Sequence, residues 1–394
     1  MTQRATDEGH GDSWHGRTVV GLGLVSFFND TQSDAVFALL PQFMRDVLGL
    51  SMQAVGLVDG LAQATVAAFN LVSGWLSDRL GTRKPVVLAG YSLSAAVKLL
   101  LIWATRPWHV LGVRVADRVG KGLRTPARDA LLADAVQPAQ WGRAYGFHRT
   151  MDTAGAIAGS ALAWGVFAAT SSYAKSFAIA GICGVLAVLL LALLVREGKG
   201  TGQQQRNGIS LKGFSPAFWV FTVSYVLFSL GKVTYSFFLL RVKDLGAPAA
   251  LVPGAYLLHN ICYAAAGLPM GVVSDKLTAR WATLATYLLM AATAAGMALA
   301  GEAWMGFALT GLYGVVLAGE GAAVRALAAE LVPEAQRASG LATYSALGLL
   351  AQLPAGVAMG LLWDRYGAQL AWAAAGAVAL AGCAFIFTLS LRKK

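Results

Sequence analysis

Charge is scarce in this chain: Lys, Arg, Asp and Glu make up 13% of its 394 residues, against a usual share of about a quarter. A soluble domain keeps a solvated ionic surface, so that class is excluded, and disordered chains and coiled coils go with it. Cysteine is nearly absent too. Cys183, Cys262 and Cys383 stand far apart in apolar stretches, without metal-ligand spacing or an obvious pairing, so they read as packed thiols and no disulfide scaffold is expected. The Gly-Lys-Ser/Thr loop of an ATP-driven pump is missing, which leaves an ion gradient as the energy source. No nucleophile and base, metal-ligand cluster or cofactor loop stands out, so neither enzymatic activity nor a cofactor or bound metal is expected. Alternating polarity is missing as well, against a porin-type barrel. Met1 to Arg17 are polar and mixed in charge, with no apolar core before a cleavage site. No secretory signal is expected there, and the first crossing is itself the membrane signal.

In place of charge the chain has 57% hydrophobic residues, 45 Gly, 11 Trp and 17 Phe, with a mean hydropathy of +0.59. That composition fits apolar helices in a lipid bilayer, packed closely through small residues. At about 20 residues per crossing, twelve crossings use roughly 240 residues and leave about 154 for eleven loops and two tails. Apolar runs bounded by charge, Gly and Pro predict crossings near 18–40, 53–77, 85–105, 108–131, 144–169 and 173–195. Six more are predicted near 216–240, 250–274, 281–300, 303–331, 337–364 and 367–391. Backbone in lipid must satisfy its own hydrogen bonds, so each is a helix. The expected fold class is an all-α membrane protein with twelve transmembrane helices. Its expected organisation is a tail (1–17), a six-helix bundle (18–195), a polar linker (196–215), a second six-helix bundle (216–391) and a short tail (392–394).

A net charge of +11 could point to nucleic acid, but most basic residues sit in short loops, so no nucleic-acid partner is expected. With both tails on one side, sixteen Lys and Arg fall there, against six (Arg45, Arg106, Lys175, Arg241, Lys243 and Arg365) on the other. The positive-inside rule then predicts an inner-membrane protein with both termini and the linker cytoplasmic.

The two halves repeat. Gly74-Trp75-Leu76-Ser77-Asp78-Arg79 reappears 197 positions later as Gly271-Val272-Val273-Ser274-Asp275-Lys276, and Ala133-Asp134-Ala135-Val136-Gln137-Pro138 recurs loosely as Ala329-Glu330-Leu331-Val332-Pro333. Two similar halves joined by a polar loop are the expected form of a rocking transporter with its site between them.

Gly74-Trp75-Leu76-Ser77-Asp78-Arg79-Leu80-Gly81-Thr82-Arg83-Lys84 resembles the Gly-x-x-x-Asp-Arg-x-Gly-x-Arg-Lys signature of the major facilitator superfamily, in the loop after the second crossing where that family has it. The resemblance covers essentially the whole chain. It implies two pseudo-symmetric six-helix bundles that alternate access, and a latch formed by Gly74, Asp78, Arg79, Gly81, Arg83 and Lys84, with Asp275 at the repeated position. A tight Gly turn, an aspartate able to meet a helix terminus and basic residues held at the surface are the physical parts of such a latch. It also implies that the first, fourth, seventh and tenth helices line a central cavity.

The fourth crossing is the most unusual. Arg114, Asp117, Arg118, Lys121, Arg124, Arg128 and Asp129 occupy an arc of roughly 140° on a helix turning about 100° per residue. Asp117 to Thr125, continuing to Arg128-Asp129-Ala130-Leu131, resembles a little-characterised prokaryotic branch of the superfamily. That branch reads Pro-Arg-Asp where Ala127 stands here, with the proline one place earlier at Pro126, which moves the local kink. Arg114, Arg118 and Lys121 lie deep in the hydrocarbon, where an unpaired charge costs about 2.5 to 3.5 kcal/mol, so partners or water are required. Asn29, Asp30 and Asp34 fall near the middle of the first crossing, and contacts from Asp30 to Arg118 or Arg114 are expected. Asp59 and Lys98 read as structural pairing.

These residues, with Lys232 of the seventh crossing, are the candidate substrate site: Asn29, Asp30, Asp34, Arg114, Arg118, Lys121 and Lys232. Asp30 and Asp34 are the candidate proton carriers. The same residues would also serve as a buried ion-pair cluster that only holds the first half together. Arg149 with Asp152 is a candidate gate pair or a local ion pair, and Glu320 and Arg325, five apart near the cytoplasmic end, are candidate gate residues for which snorkelling is the equal alternative. Gly146, Gly155 and Gly159 resemble the antiporter motif of family exporters, although Ser160 replaces its proline, and close helix packing would explain the same glycines.

The expected function is secondary active transport of a small or amphipathic organic solute, anionic or zwitterionic, coupled to protons, with a lean to efflux, by a monomer. A proton-coupled importer or a uniporter would share every motif. A non-transporting membrane sensor or scaffold is the alternative of another class, and metal transport is disfavoured because cations crowd the carboxylates.

Overall fold

The computed structural model describes residues 16–80, 82–197 and 213–389, with the backbone alone at residues 71, 74–80, 335 and 338. Twelve long helices follow one another, and no strand occurs among the described residues. The first six are α1 (Arg17–Asp46), α2 (Met52–Leu80), α3 (Lys84–Leu99), α4 (Pro107–Asp134), α5 (Trp141–Thr170) and α6 (Tyr173–Leu194). The second six are α7 (Pro216–Asp244), α8 (Val252–Leu277), α9 (Ala279–Leu299), α10 (Ala303–Leu331), α11 (Arg337–Tyr366) and α12 (Ala368–Thr388).

Ten are apolar and long enough to cross a membrane. The other two, α1 and α4, carry the acidic and basic residues. Mid-helix charge lowers their hydropathy without shortening them, since those side chains turn inward. The largest boundary difference is in α1, which runs through Pro41 to Asp46 rather than stopping near residue 40. Gln42, Arg45 and Asp46 read as loop by polarity, yet they are the last turn of a helix whose end is tied to its neighbours. The expected twelfth crossing to residue 391 ends at Thr388, and residues 390–394 lie outside the described residues, as does most of the linker.

The start of α1 lies beside the end of α6, where Arg17 donates to the Leu193 carbonyl at 2.8 Å, and twelve alternating helices return α12 to end on that same side, the tail end. The opposite side is the far end. Helices α2 and α5 of the first half pack on α11 and α8 of the second. Those two pairings exchange under a shift of six helices, as a pseudo-twofold between the halves requires. The α2–α11 crossing is very close: a Cβ added at Gly56 would strike the Gly356 carbonyl, and one at Gly60 would meet Leu353 backbone. Gly56→Val should therefore lower stability by about 1–3 kcal/mol, the cost of overpacking. Fluorescence-detected thermal unfolding in detergent measures it.

Two helices are irregular in the second half. Backbone at Lys232 is extended, with φ −81° and ψ 91°, which divides α7 after Gly231. In α10 a π turn spans Glu320–Val324, a feature that often marks a functional position.

Candidate functional site

One face of α1 organises the centre of the molecule. Ser26, Asp30, Asp34 and Phe37 recur at helical spacing, so their side chains share one face. Ser26 donates to Asp152 of α5. Asp34 accepts from the Tyr256 hydroxyl at 2.9 Å and from the Asn260 amide at 3.4 Å, both on α8 of the other half. Asp30 accepts from Asn29 at 2.8 Å. The expected contact from Asp30 to Arg114 or Arg118 is not made; both arginines face other carboxylates.

Those carboxylates are Asp59 and Asp117. Arg114 donates to Asp59 at 2.8 Å, and Asp59 also accepts from Thr234 at the α7 break at 2.9 Å. Asp117 lies 3.0 Å from the Lys98 ammonium and 3.5 Å from Arg118 Nε, and accepts from Ser94 at 2.5 Å. Lys98 also donates to Ser33 at 2.8 Å and Ser94 at 2.9 Å. Asp59 and Lys98 are thus structural, as expected, but each pairs with α4 rather than with the other. Arg124 donates to Asn29 at 3.0 Å and lies over the Tyr91 ring, which makes Asn29 a positioning group for Arg124 and Asp30. These groups are buried, and in a medium without water each pairing offsets a desolvation cost that an isolated charge could not bear.

Three guanidiniums of α4 remain incompletely satisfied, Arg114, Arg118 and, at its Nε, Arg124. Arg114 and Arg118 both sit over the Phe37 ring, 4.7 and 4.8 Å from its centre. Arg114 Nε and Nη1 and Arg118 Nε are buried without a hydrogen-bond partner. A buried donor left open costs about 1–3 kcal/mol. One turn nearer the tail end, Lys121 is exposed at the middle of α4 and makes no ion pair among the described residues. Asp30 and Asp34 are also partly exposed.

A cavity of about 1000 Å³ lies at the tail end, between α4 and α5 of one half and α8 and α10 of the other, and its lining includes Thr125, Arg128, Asp152, Tyr263, Gly321 and Arg325. Thr125 is one turn from Lys121 on the same face. At the far end the halves are closed by an ion pair between Lys243 and Asp46 and by Asp364 of α11 against the start of α2.

In the second half the backbone breaks of α7 and α10 bring Lys232 and Glu320 together at 2.6 Å, with the Tyr225 hydroxyl donating to Glu320 at 2.8 Å. The two gate candidates part here: the π turn points Glu320 inward, and Arg325 is exposed on the cavity. Arg149 lies 4.0 Å from Asp152 but donates to the Tyr263 hydroxyl of α8, so it bridges the halves. Asp152 takes Ser26 and lies 3.6 Å from His148. Gly155 and Gly159 abut the Phe27 and Thr31 carbonyls of α1, whereas Gly146 lines the cavity, so two of the three motif glycines are packing residues.

The latch residues divide differently. The side chains of Gly74, Asp78 and Arg79, and residue Gly81 altogether, lie outside the described residues. Arg83 pairs with Asp134 and donates to the Ala130 carbonyl at 2.8 Å, which ties the motif to the other repeated segment. Lys84 donates to the Ala192 carbonyl at 3.1 Å. Asp275 is exposed. Glu197, unremarked in the sequence, accepts from the Arg83 and Lys84 N–H groups at 2.7 and 2.8 Å and so caps α3. Asn260 stands out in the sequence as a polar intrusion in the eighth crossing; Phe37, which continues the α1 helical series, and Tyr256, which carries no such signal, do not. Among the described residues no group of three or more His, Cys, Asp or Glu could hold a metal ion.

The family model described as Major Facilitator Superfamily matches residues 22–258 and 221–394. An uncharacterized MFS-type transporter of Methanocaldococcus jannaschii is 29% identical over 357 residues, 88% of each chain. A multidrug resistance protein of Cronobacter sakazakii is 30% identical over 156 residues, 40% of this chain and 37% of that one. Among solved structures, a bacterial homolog of the human lysosomal transporter Spinster, in an inward-facing and occupied conformation, superposes with a TM-score of 0.76 at 16% identity, covering 94% of this chain and 96% of that one.

Proposed function

The chain belongs to the Major Facilitator Superfamily, and from that premise we propose that it moves a small or amphipathic organic solute with an anionic or zwitterionic group, in exchange for protons, across the inner membrane. Transport by a membrane protein without enzymatic chemistry follows from the family; the solute, coupling and direction are the proposal. The observation that carries it is the pair of buried guanidiniums over the Phe37 ring, Arg114 with Nε and Nη1 unbonded and Arg118 with Nε no nearer than 3.5 Å to Asp117. An anionic head entering past Lys121 would supply an acceptor. Arg-lined sites suit carboxylate and phosphate because the fork offers two parallel donors.

Asp34 is the preferred proton carrier. It lies between the halves with only neutral partners, Tyr256 and Asn260, so parting the halves changes what it bonds, and with that its proton occupancy. Sixteen basic residues against six favour a cytoplasmic tail end and cavity. Likeness to a multidrug resistance protein over part of the chain favours export. A monomer holds the whole site between its own halves.

A thermal-shift screen of solutes at two pH values, followed by flux in proteoliposomes for any hit, tests the reading. Anionic solutes should stabilise the protein, and Lys121→Ala should weaken them roughly tenfold. Asp34→Asn should abolish solute-dependent proton movement while leaving solute counterflow. If proton movement persists in that variant, Asp34 is not the carrier; if only cations bind, the anion site is wrong.

A further inference from the structure

Across the closed far end, one carboxylate acts on the backbone of the opposite half. Asp364, in the last turn of α11, accepts from the Met52 N–H at 3.0 Å with one oxygen and from the Gln53 N–H at 2.9 Å with the other. Met52 and Gln53 are the first residues of α2, and the opening N–H groups of a helix have no partner within it. The next two are satisfied locally: Ala54 N–H bonds the Ser51 hydroxyl at 3.1 Å and Val55 N–H the Ser51 carbonyl at 3.1 Å. The start of α2 is therefore completed half by its own loop and half by the second bundle. A carboxylate there also meets the positive end of the helix dipole.

Asp364 is held in place by the turn that follows it. Gly367, at φ +87°, reverses the chain into α12, a conformation that favours glycine, and its N–H returns to the Trp363 carbonyl at 2.9 Å. The sequence Asp364-Arg365-Tyr366-Gly367 repeats the Asp-Arg-x-Gly order of residues 78–81 at the opposite end of the molecule. Nearby, Asp46 is shared between Lys243 of the second half and Tyr173 of its own. Because α2 and α11 touch backbone to backbone at Gly56, Gly60 and Gly356, any motion that parts them at the far end must first withdraw Asp364 from α2.

We propose that Asp364 is a positioning residue of the transport cycle: by capping α2 from the other half it holds the state whose cavity opens at the tail end, and its release lets the far end open. This goes beyond the substrate reading and does not depend on it. The test uses the full chain in lipid nanodiscs with Cys183, Cys262 and Cys383 replaced by Ala. Spin labels at Val47 and Leu251 report the far end, and labels at Arg143 and Lys276 the tail end, all exposed positions. Asp364→Asn keeps the shape but loses the charge and one acceptor. It should raise the population with a long far-end distance roughly fivefold to tenfold, as expected for charge-assisted bonds, with a matching rise in short tail-end distances. Asp364→Glu should restore the original populations. A purely structural aspartate would lower the melting temperature without moving either population. Unchanged distances in both Asp364→Asn and the double variant with Lys243→Gln would overturn the proposal, as would a shift that Asp364→Glu fails to reverse.

Discussion

Asp117→Ala should yield little folded protein, with stability reduced by about 3–5 kcal/mol, the cost of leaving buried charge without its partner. Asp117 is the acceptor at which Lys98, Arg118 and Ser94 converge, and Lys98 is sealed from solvent with no other carboxylate on it among the described residues. Removing the carboxylate leaves an ammonium held only by Ser33 and Ser94. The measurement is the monodisperse fraction and thermal midpoint in detergent. Replacing both partners, Lys98→Met with Asp117→Leu, should recover most of the loss, because an apolar pair needs no desolvation. Normal stability in Asp117→Ala alone would mean that water reaches Lys98 and that the cluster is not a dry core.

Arg118→Ala should do the opposite: transport falls roughly ten- to hundredfold while folded protein stays near normal. Its loss takes from Asp117 only the longer 3.5 Å contact and leaves Lys98 at 3.0 Å, so the network survives. The proposed anion site does not, since one of its two guanidiniums is gone, and charged hydrogen bonds of about 1.5–3 kcal/mol give the range above. Arg118→Lys should recover part of the flux, because a point charge replaces the stacking fork over Phe37 imperfectly. Initial rates of solute flux, normalised to folded protein, decide it. Undiminished flux would remove Arg118 from the site and leave it to structure.

The contrast between these two neighbours shows where reading α4 as one charged face stops short. Every residue on that face was visible in the sequence, but the face divides by depth and by partner. Arg114 finds Asp59 on α2, Asp117 finds Lys98 on α3, Arg124 finds Asn29 on α1, and Lys121 makes no ion pair among the described residues. Spacing along one helix says which side chains point the same way, and nothing about which foreign carboxylate lies opposite. In the same way Glu320 and Arg325, five residues apart, read alike in the sequence as gate candidates. A π turn and the break in α7 send Glu320 to Lys232, because a local change of helical pitch rotates a side chain to another face.

What the amino-acid sequence determined by itself is the set of properties that depend on local composition and period: twelve helices, a doubled six-helix plan, the sidedness of its basic loops and the Asp-Arg-x-Gly motif of its family. Lipid forces backbone bonds to close within each segment, so apolar length alone defines a helix there. Tertiary structure decided the rest: the partner of each buried charge, the cavity open at the tail end, and the far-end contact in which Asp364 completes a helix of the other half. Those contacts join residues as much as 312 positions apart. Electrostatic pairing depends on separation in space, which no periodicity along the chain encodes.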